Sequence, residues 1–359
     1  TIFSLSITPF INASIIIQLL TYALPPLERL SKEGTEGRKV LNKISAYVAF
    51  ALAIVMSLAY YLTMKSAGAV KYKSGFEGVF CMIAIMLVFI TGAMLVVWLG
   101  NRVNEKGIGN GISIILFAGI IARLPVDVVD MVTLAKNEPN PYVFIVPLIL
   151  LIYVAMITFI VFMNDSERRI PIQYSNRTTA SYGGKQNYIP FKINSAGVMP
   201  VIFASVLLSI PTFIAGILGS DSGFSLFVSK YIDYSTPVGF VLYMILIFVF
   251  GYFYTNMQIN PKELAKNLNR NGGYIPGIRP GVETENYIKK ILNRITFLGS
   301  TFIAIIAGLP IVFSSFISTG LPASVRIGGT GVLIVVGVAI ETCRQLESSL
   351  INRSYKGAR

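Results

Sequence analysis

The chain has 359 residues, 54% of them hydrophobic and only 13% charged, and a formal net charge of +13. A water-soluble domain needs about twice that share of charged residues to cover its surface, so the composition points to a bilayer as solvent. The lack of histidine excludes histidine-dependent triads and imidazole metal sites, and the two cysteines, Cys81 and Cys343, lie far apart in apolar runs and read as buried small hydrophobes.

Crossing a hydrocarbon core takes roughly 20 mostly apolar helical residues. Nine stretches meet this, at about 3–24, 44–64, 77–99, 111–132, 141–163, 195–219, 237–257, 295–318 and 327–346. The first begins almost at Thr1, without an initiator Met or basic leader, so an upstream segment is expected, and nine spans ending in a cytoplasmic carboxyl terminus put Thr1 outside, which predicts at least one earlier crossing. This span is polar for lipid, with Asn12, Ser14, Gln18 and Thr21 among isoleucines after Pro9. Ile7, Ile11, Ser14 and Gln18 fall at helical spacings of four, three and four, which predicts one stripe facing the bundle interior. Ordinary interhelical hydrogen bonding explains the same residues equally well.

The fourth span loses its apolar character at Arg123, and Pro125 follows, which predicts a short or kinked helix. Gly107-Ile108-Gly109-Asn110-Gly111 precedes that span and Gly328-Gly329-Thr330-Gly331 opens the ninth. Neither cluster is followed by the Lys-Ser/Thr of a phosphate loop, so helix starts and close packing are the expectation. In the sixth span, Pro200-Val201-Ile202-Phe203-Ala204-Ser205 echoes Pro9-Phe10-Ile11-Asn12-Ala13-Ser14 at Pro, Ile, Ala and Ser. Such echoes accompany internal repeats in membrane proteins.

Two connections are long, 164–194 and 260–294. The second holds Gly272-Gly273 and Pro276-Gly277-Ile278-Arg279-Pro280-Gly281, which predicts a hairpin followed by a helix from Glu283 into the eighth span. Alternating sides from a cytoplasmic carboxyl terminus places both connections in the cytoplasm. Of the 30 Lys and Arg, only Lys65, Lys71, Lys73, Arg123, Lys136, Lys230 and Arg326 then fall on the other side. The inverse topology would translocate all the rest, so the positive-inside rule selects the first.

Several of these segments resemble the SecY family, the channel subunits of bacterial protein secretion. Ile7-Thr8-Pro9-Phe10-Ile11-Asn12-Ala13-Ser14 through Gln18-Leu19-Leu20 looks like the family's second helix. Trp98-Leu99-Gly100 with the following glycine cluster is similar to the fourth-to-fifth helix junction. Phe191-Lys192-Ile193-Asn194 with Ala196-Gly197-Val198-Met199-Pro200 resembles the start of the seventh helix. Asn260-Pro261-Lys262-Glu263 and Gly277-Ile278-Arg279-Pro280-Gly281 look like the large cytosolic hairpin.

The resemblance implies an all-α polytopic bundle of two inverted, pseudo-symmetric halves around an hourglass pore. Residues 1–163 would belong to the first half, 164–194 to a cytosolic loop, and 195–359 to the second half with its hairpin at 260–294. The family's first helix and plug would lie upstream. By motif position Ile7, Ile11, Leu116, Ile202 and Ile334 would form the pore ring, and Gln18, Asn12 and Asn194 the lateral gate. Arg279, Lys262, Lys266, Arg270, Arg168, Arg169 and Arg177 would dock cytosolic partners, although the stretch after Arg177 lacks the basic pair of some relatives. The implied function is passage of unfolded polypeptides across a bacterial cell membrane, with lateral release of apolar segments. Implied partners are the SecE and SecG subunits, the SecA motor or a translating ribosome, signal peptides, nascent chains and membrane lipids. No cofactor, metal or catalytic residue is implied.

Two other classes compete. A secondary transporter of small solutes fits the prolines, the echo and the polar spans, but few ionisable residues lie deep in any span. An intramembrane protease lacks a paired aspartate in neighbouring spans, and there is no histidine.

Overall fold

The computed structural model describes residues 2–66, 68–70, 75–107, 109–137, 139–174, 187–218, 222–233, 236–316 and 329–357. Proline sets both ends of the first helix. Residues 2–7 form turns, with Ser6 at φ 47°, and α1 runs Thr8–Ala23. Pro9 lies in its first turn, where a backbone N–H would have no helical acceptor. The helix is therefore shorter than the expected 3–24. Leu24 is extended, as a residue before proline prefers, and Pro25 opens α2 (Pro25–Lys32), bent by 106° from α1.

Long helices come next: α3 (Thr35–Ser66), α4 (Gly75–Lys106), α5 (Gly111–Asn137) and α6 (Pro139–Asp165). Pro125 does not end α5, which is 27 residues long, so the helix is not the short one expected there. Pro147 likewise lies inside α6. Neighbouring groups in a membrane bundle re-satisfy the backbone that an internal proline frees. After them stand strands β1 (Glu167–Tyr174) and β2 (Asn187–Lys192), then α7 (Met199–Leu218), α8 (Gly223–Tyr231), α9 (Pro237–Gln258) and α10 (Pro261–Arg270). The chain continues through β3 (Gly273–Tyr274), α11 (Val282–Phe316) and α12 (Gly329–Gly357). Helix α11 is the one expected to lead from the hairpin into the eighth span. At 1.5 Å per residue its 35 residues extend about 52 Å, well beyond a hydrocarbon core.

Among the described residues, seven helices are long and apolar enough to cross a membrane, or eight if the bent α1–α2 pair is one span. These account for eight of the nine expected spans. The ninth corresponds to α12, whose apolar run ends at Ile340 and is followed by Glu341 and Arg344. Cysteine burial departs from expectation, since Cys343 is exposed and Cys81 only half-buried. In a lipid-facing helix an apolar neighbourhood in sequence does not mean a covered side chain.

The chain divides into two compact units, which mix segments of both expected halves. The first comprises 1–121, 206–239 and 341–359. In it α1 packs against α2, α3 and α4. One cluster gathers Leu5, Met56, Phe89 and Ala93, and a second gathers Ile7, Phe10, Ala13, Ala49, Val96 and Val97. The second unit comprises 122–205 and 240–340. Its membrane helices interlock through aromatic rings, Phe203 of α7 against Phe250 and Tyr254 of α9, and Phe159 of α6 against Phe302 of α11.

The second unit also carries a small sheet, ordered β2-β1-β3, where a loop was expected. Strands β1 and β2 are antiparallel from Glu167↔Lys192 to Ile172↔Asn187, and β3 pairs Gln173↔Tyr274. Alternate residues Ile170 and Ile172 turn inward and join Phe191, Ala265, Leu268, Ile275, Ile288 and Leu292 in one core. Sheet, α10 and the first turns of α11 are therefore one folded platform. Pro190 removes a backbone donor from the edge strand β2, a device that discourages further strand pairing.

Candidate functional site

The aliphatic residues come first. Ile7 precedes α1, is wholly buried, and its carbonyl accepts from the N–H groups of Phe10 and Ile11, both at 3.1 Å. Ile11, one turn on, and Leu116 of α5 are half-buried and pack against the same cluster as Ile7. The first unit thus brings three of the five ring candidates together. The other two belong to the second unit. Ile202, in the first turn of α7, is half-buried beside the fully covered Val201 and Phe203. Ile334 of α12 is half-buried beside the fully covered Leu333. Their helices approach closely: a Cβ on Gly337 would stand 2.8 Å from Val198 Cγ2, just before α7.

The glycine cluster before α5 fixes the angle at which Leu116 is presented. Asn104 Oδ1 accepts from Gly111 N–H at 2.7 Å, and Asn110 Oδ1 caps the helix from Ile112 N–H at 3.1 Å. Gly109 has φ +87°, and a side chain on Gly111 would run into the Gly100 carbonyl of α4. Helix start and close packing, expected from the sequence, are what this cluster provides.

The three carboxamides share an unusual property. Asn12 is 4% exposed and turns onto α3, where its Nδ2 reaches Met56 Sδ at 4.0 Å. Gln18 Nε2 donates to Ser14 Oγ one turn back at 3.3 Å, along the predicted polar stripe. Asn194 Nδ2 donates to Asn164 Oδ1 at the end of α6, at 2.9 Å. Among the described residues, the buried side-chain polar atoms without a hydrogen-bond partner are Asn12 Oδ1, Gln18 Oε1 and Asn194 Oδ1. Each such oxygen costs about 1–3 kcal/mol.

The basic residues ride on the platform. Lys262, Lys266 and Arg270 are exposed at four-residue spacing along α10, while Ala265 and Leu268 face inward. Asn260 caps this helix, accepting from Lys262 and Glu263 N–H groups at 3.1 and 3.4 Å. Arg279 is exposed in the turn before α11, and its carbonyl accepts from Thr284 Oγ1 at 2.9 Å. Arg168 and Arg169 are exposed on β1. Arg169 already has partners, the Glu167 carboxylate at 2.6 Å and the Tyr188 ring, 4.8 Å to its centroid, and Glu167 holds its guanidinium above the ordinary value. Arg177 lies outside the described residues.

One buried ionisable group went unnoticed in the sequence. Asp127 of α5 is 5% exposed and pairs with Arg123 Nε at 3.4 Å. The four-residue spacing on one helix face was its available signal. Among the described residues no cluster of potential metal ligands forms.

A sequence profile of the SecY family matches residues 1–343. The protein translocase subunit SecY of Bacillus subtilis is 42% identical over 370 aligned positions, covering 99% of this chain and 84% of the relative. That of Halalkalibacterium halodurans is 40% identical with the same coverage. Among solved structures, a protein-conducting channel matches with a TM-score of 0.68 at 19% identity, over 97% of this chain and 82% of the other. Sec61 in the canine ribosome–channel complex of the endoplasmic reticulum matches with a TM-score of 0.66 at 18% identity, over 97% and 81%.

Proposed function

The chain belongs to the SecY family, and on that premise we propose that Ile11, Leu116, Ile202 and Ile334, with Ile7 supporting Ile11 and Leu116 from the first unit's core, form the seal through which unfolded polypeptides pass. The chain is a multi-pass membrane protein and a protein-conducting channel subunit of a translocase, not an enzyme and not a small-solute transporter.

The observation that carries the reading is the contrast within the five. Ile7 is packed into the first unit's core, while Ile11, Leu116, Ile202 and Ile334 keep part of their surface uncovered. Aliphatic groups left half-open are what a gasket needs: a narrow apolar constriction dewets and blocks ions. Alkyl side chains also exchange rotamers without breaking hydrogen bonds, so the seal yields to a passing chain.

Gln18, Asn12 and Asn194 serve as the lateral gate. A gate must be marginally stable to open, and three buried oxygens without donors lower the stability of the packed arrangement. Residues 1–163 and 195–359 act as the two pseudo-symmetric halves.

The platform, with Lys262, Lys266, Arg270, Arg279, Arg168 and Arg169, faces the cytoplasm of a bacterial cell and docks the SecA motor or a translating ribosome. Arg177 is assigned to the same surface from its position in the sequence. SecE and SecG complete the complex, and anionic lipids neighbour the basic side. The decisive experiment is reconstitution of the full-length protein with SecA and a secretory precursor, reading ATP-dependent protection of the precursor from protease. Replacing Ile11 by Asn should leave vesicles leaky to ions at rest. Protection without any change in leak would refute the gasket and leave the channel assignment intact.

A further inference from the structure

Helix α8 is short, exposed and apolar. It starts at Ser222, whose hydroxyl accepts from Ser225 N–H at 3.1 Å, and of its nine residues only Val228 is buried. Phe224, Phe227 and Tyr231 are spaced three and four apart and fall on one stripe, 41%, 53% and 39% exposed. The Phe227 and Tyr231 rings lie 5.1 Å apart, and Lys230 Nζ sits 5.6 Å from the Tyr231 ring centroid at the stripe's rim. Ser225 and Ser229 lie on the opposite side, with Leu226, 61% exposed, between Ser229 and Lys230 around the helix.

The tethers fix where this stripe stands. Four residues separate α8 from the end of α7 and five from the start of α9, and both neighbours are long and apolar enough to cross a membrane. Four residues reach at most roughly 14 Å, so α8 cannot leave the membrane boundary. The adjoining ends of those helices expose Leu218 and Val238, 57% and 54%, so each span presents uncovered apolar surface at the end that leads to α8.

From this geometry we infer that α8 is an interfacial helix, its Phe224–Phe227–Tyr231 stripe seated at the headgroup–acyl boundary of the bilayer that α7 and α9 cross. Lys230 reaches the lipid phosphates. Aromatic rings with one polar edge favour that zone, and a lysine stem lets its ammonium stay in the headgroups while its methylenes cover apolar surface. The connection between α7 and α9 is then carried on the lipid surface and does not hang free in water.

Residues 1–359 hold a single tryptophan, Trp98, and once it and any tryptophan elsewhere in the full-length protein are replaced by phenylalanine, depth can be read from one introduced fluorophore. In that background of the full-length protein, Phe227→Trp and Ser229→Trp are each placed at exposed positions and reconstituted into vesicles of zwitterionic and anionic phospholipid. The Phe227→Trp emission should be blue-shifted and lose most of its intensity when the acyl chains carry bromine close to the headgroup, with little loss to aqueous acrylamide. Ser229→Trp should show the reverse. Acrylamide quenching of both would place the helix in water, bromolipid quenching of both would bury the whole segment, and protection of the Phe227→Trp emission from both quenchers would mean a protein partner or second copy covers the stripe. Any of these three results overturns the inference.

Discussion

Replacing Asn12 by leucine should stabilise this protein, although it removes a polar contact between helices. Asn12 is 4% exposed, its Nδ2 meets only a thioether at 4.0 Å, and its Oδ1 has no partner. A thioether is a weak acceptor, and even good interhelical hydrogen bonds in membranes average about 0.6 kcal/mol. Against that small loss stands relief of an unsatisfied buried oxygen, about 1–3 kcal/mol. Leucine keeps asparagine's branching, but its two methyl groups take clearly more room than an oxygen and an amide nitrogen, so overpacking takes back about 1 kcal/mol. The net expectation is a gain of up to about 1 kcal/mol, read as a raised midpoint in thermal unfolding followed by circular dichroism in detergent. Asn12→Ala removes the same oxygen but leaves a void, and should fall below Asn12→Leu by about 2 kcal/mol or more. If the unpaired oxygen also eases gate opening, Asn12→Leu should translocate precursor more slowly at unchanged SecA affinity. A lowered midpoint for Asn12→Leu would refute the reasoning, because it would mean the native oxygen is satisfied.

The same geometry sets three further expectations. Gly111→Ala should destabilise by about 1–3 kcal/mol despite alanine's better helix propensity, because its methyl group runs into the Gly100 carbonyl; thermal unfolding measures it, and a neutral result would contradict the close approach of α4 and α5. Asn260→Ala should cost about 1 kcal/mol locally by uncapping α10, seen as faster proteolytic nicking within 260–294 while the membrane helices stay intact. Lys262→Glu combined with Lys266→Glu, both exposed, should leave thermal stability unchanged and weaken SecA or ribosome binding, with the difference shrinking as salt is raised.

The membrane helices were readable because each expected span is an apolar run that only a helix can carry through lipid. The glycine cluster was readable too, since Asn104 and Asn110 provide the caps that such a junction needs. Strands β1 and β2 were not, although Ile170 and Ile172, with Ile189 and Phe191, alternate as strand residues do. Segments of eight and six residues between long apolar helices are easily passed over as loop, and their partner β3 is about a hundred residues away. Pro125 misleads for a different reason: a proline reads as a helix end in water, whereas α5 continues through it within a stretch apolar enough to cross a membrane. Of the carboxamides proposed for the gate, the sequence offered polarity in the wrong solvent, but only packing reveals that Asn12 turns onto α3 while Gln18 bonds along its own helix. Asp127 was missed because only Lys and Arg were weighed for topology, so Arg123 was counted there and not as a partner of Asp127.

Helix α11 has a mechanical consequence. Its first turns are clamped in the platform core by Ile288 and Leu292, and the same unbroken rod carries Phe302 against α6 deep in the apolar part. Axial hydrogen bonding makes such a rod stiff, so a force applied near Arg279 is delivered to Phe302 as a tilt and is not absorbed at a hinge. A motor pressing on one end would find itself holding a lever.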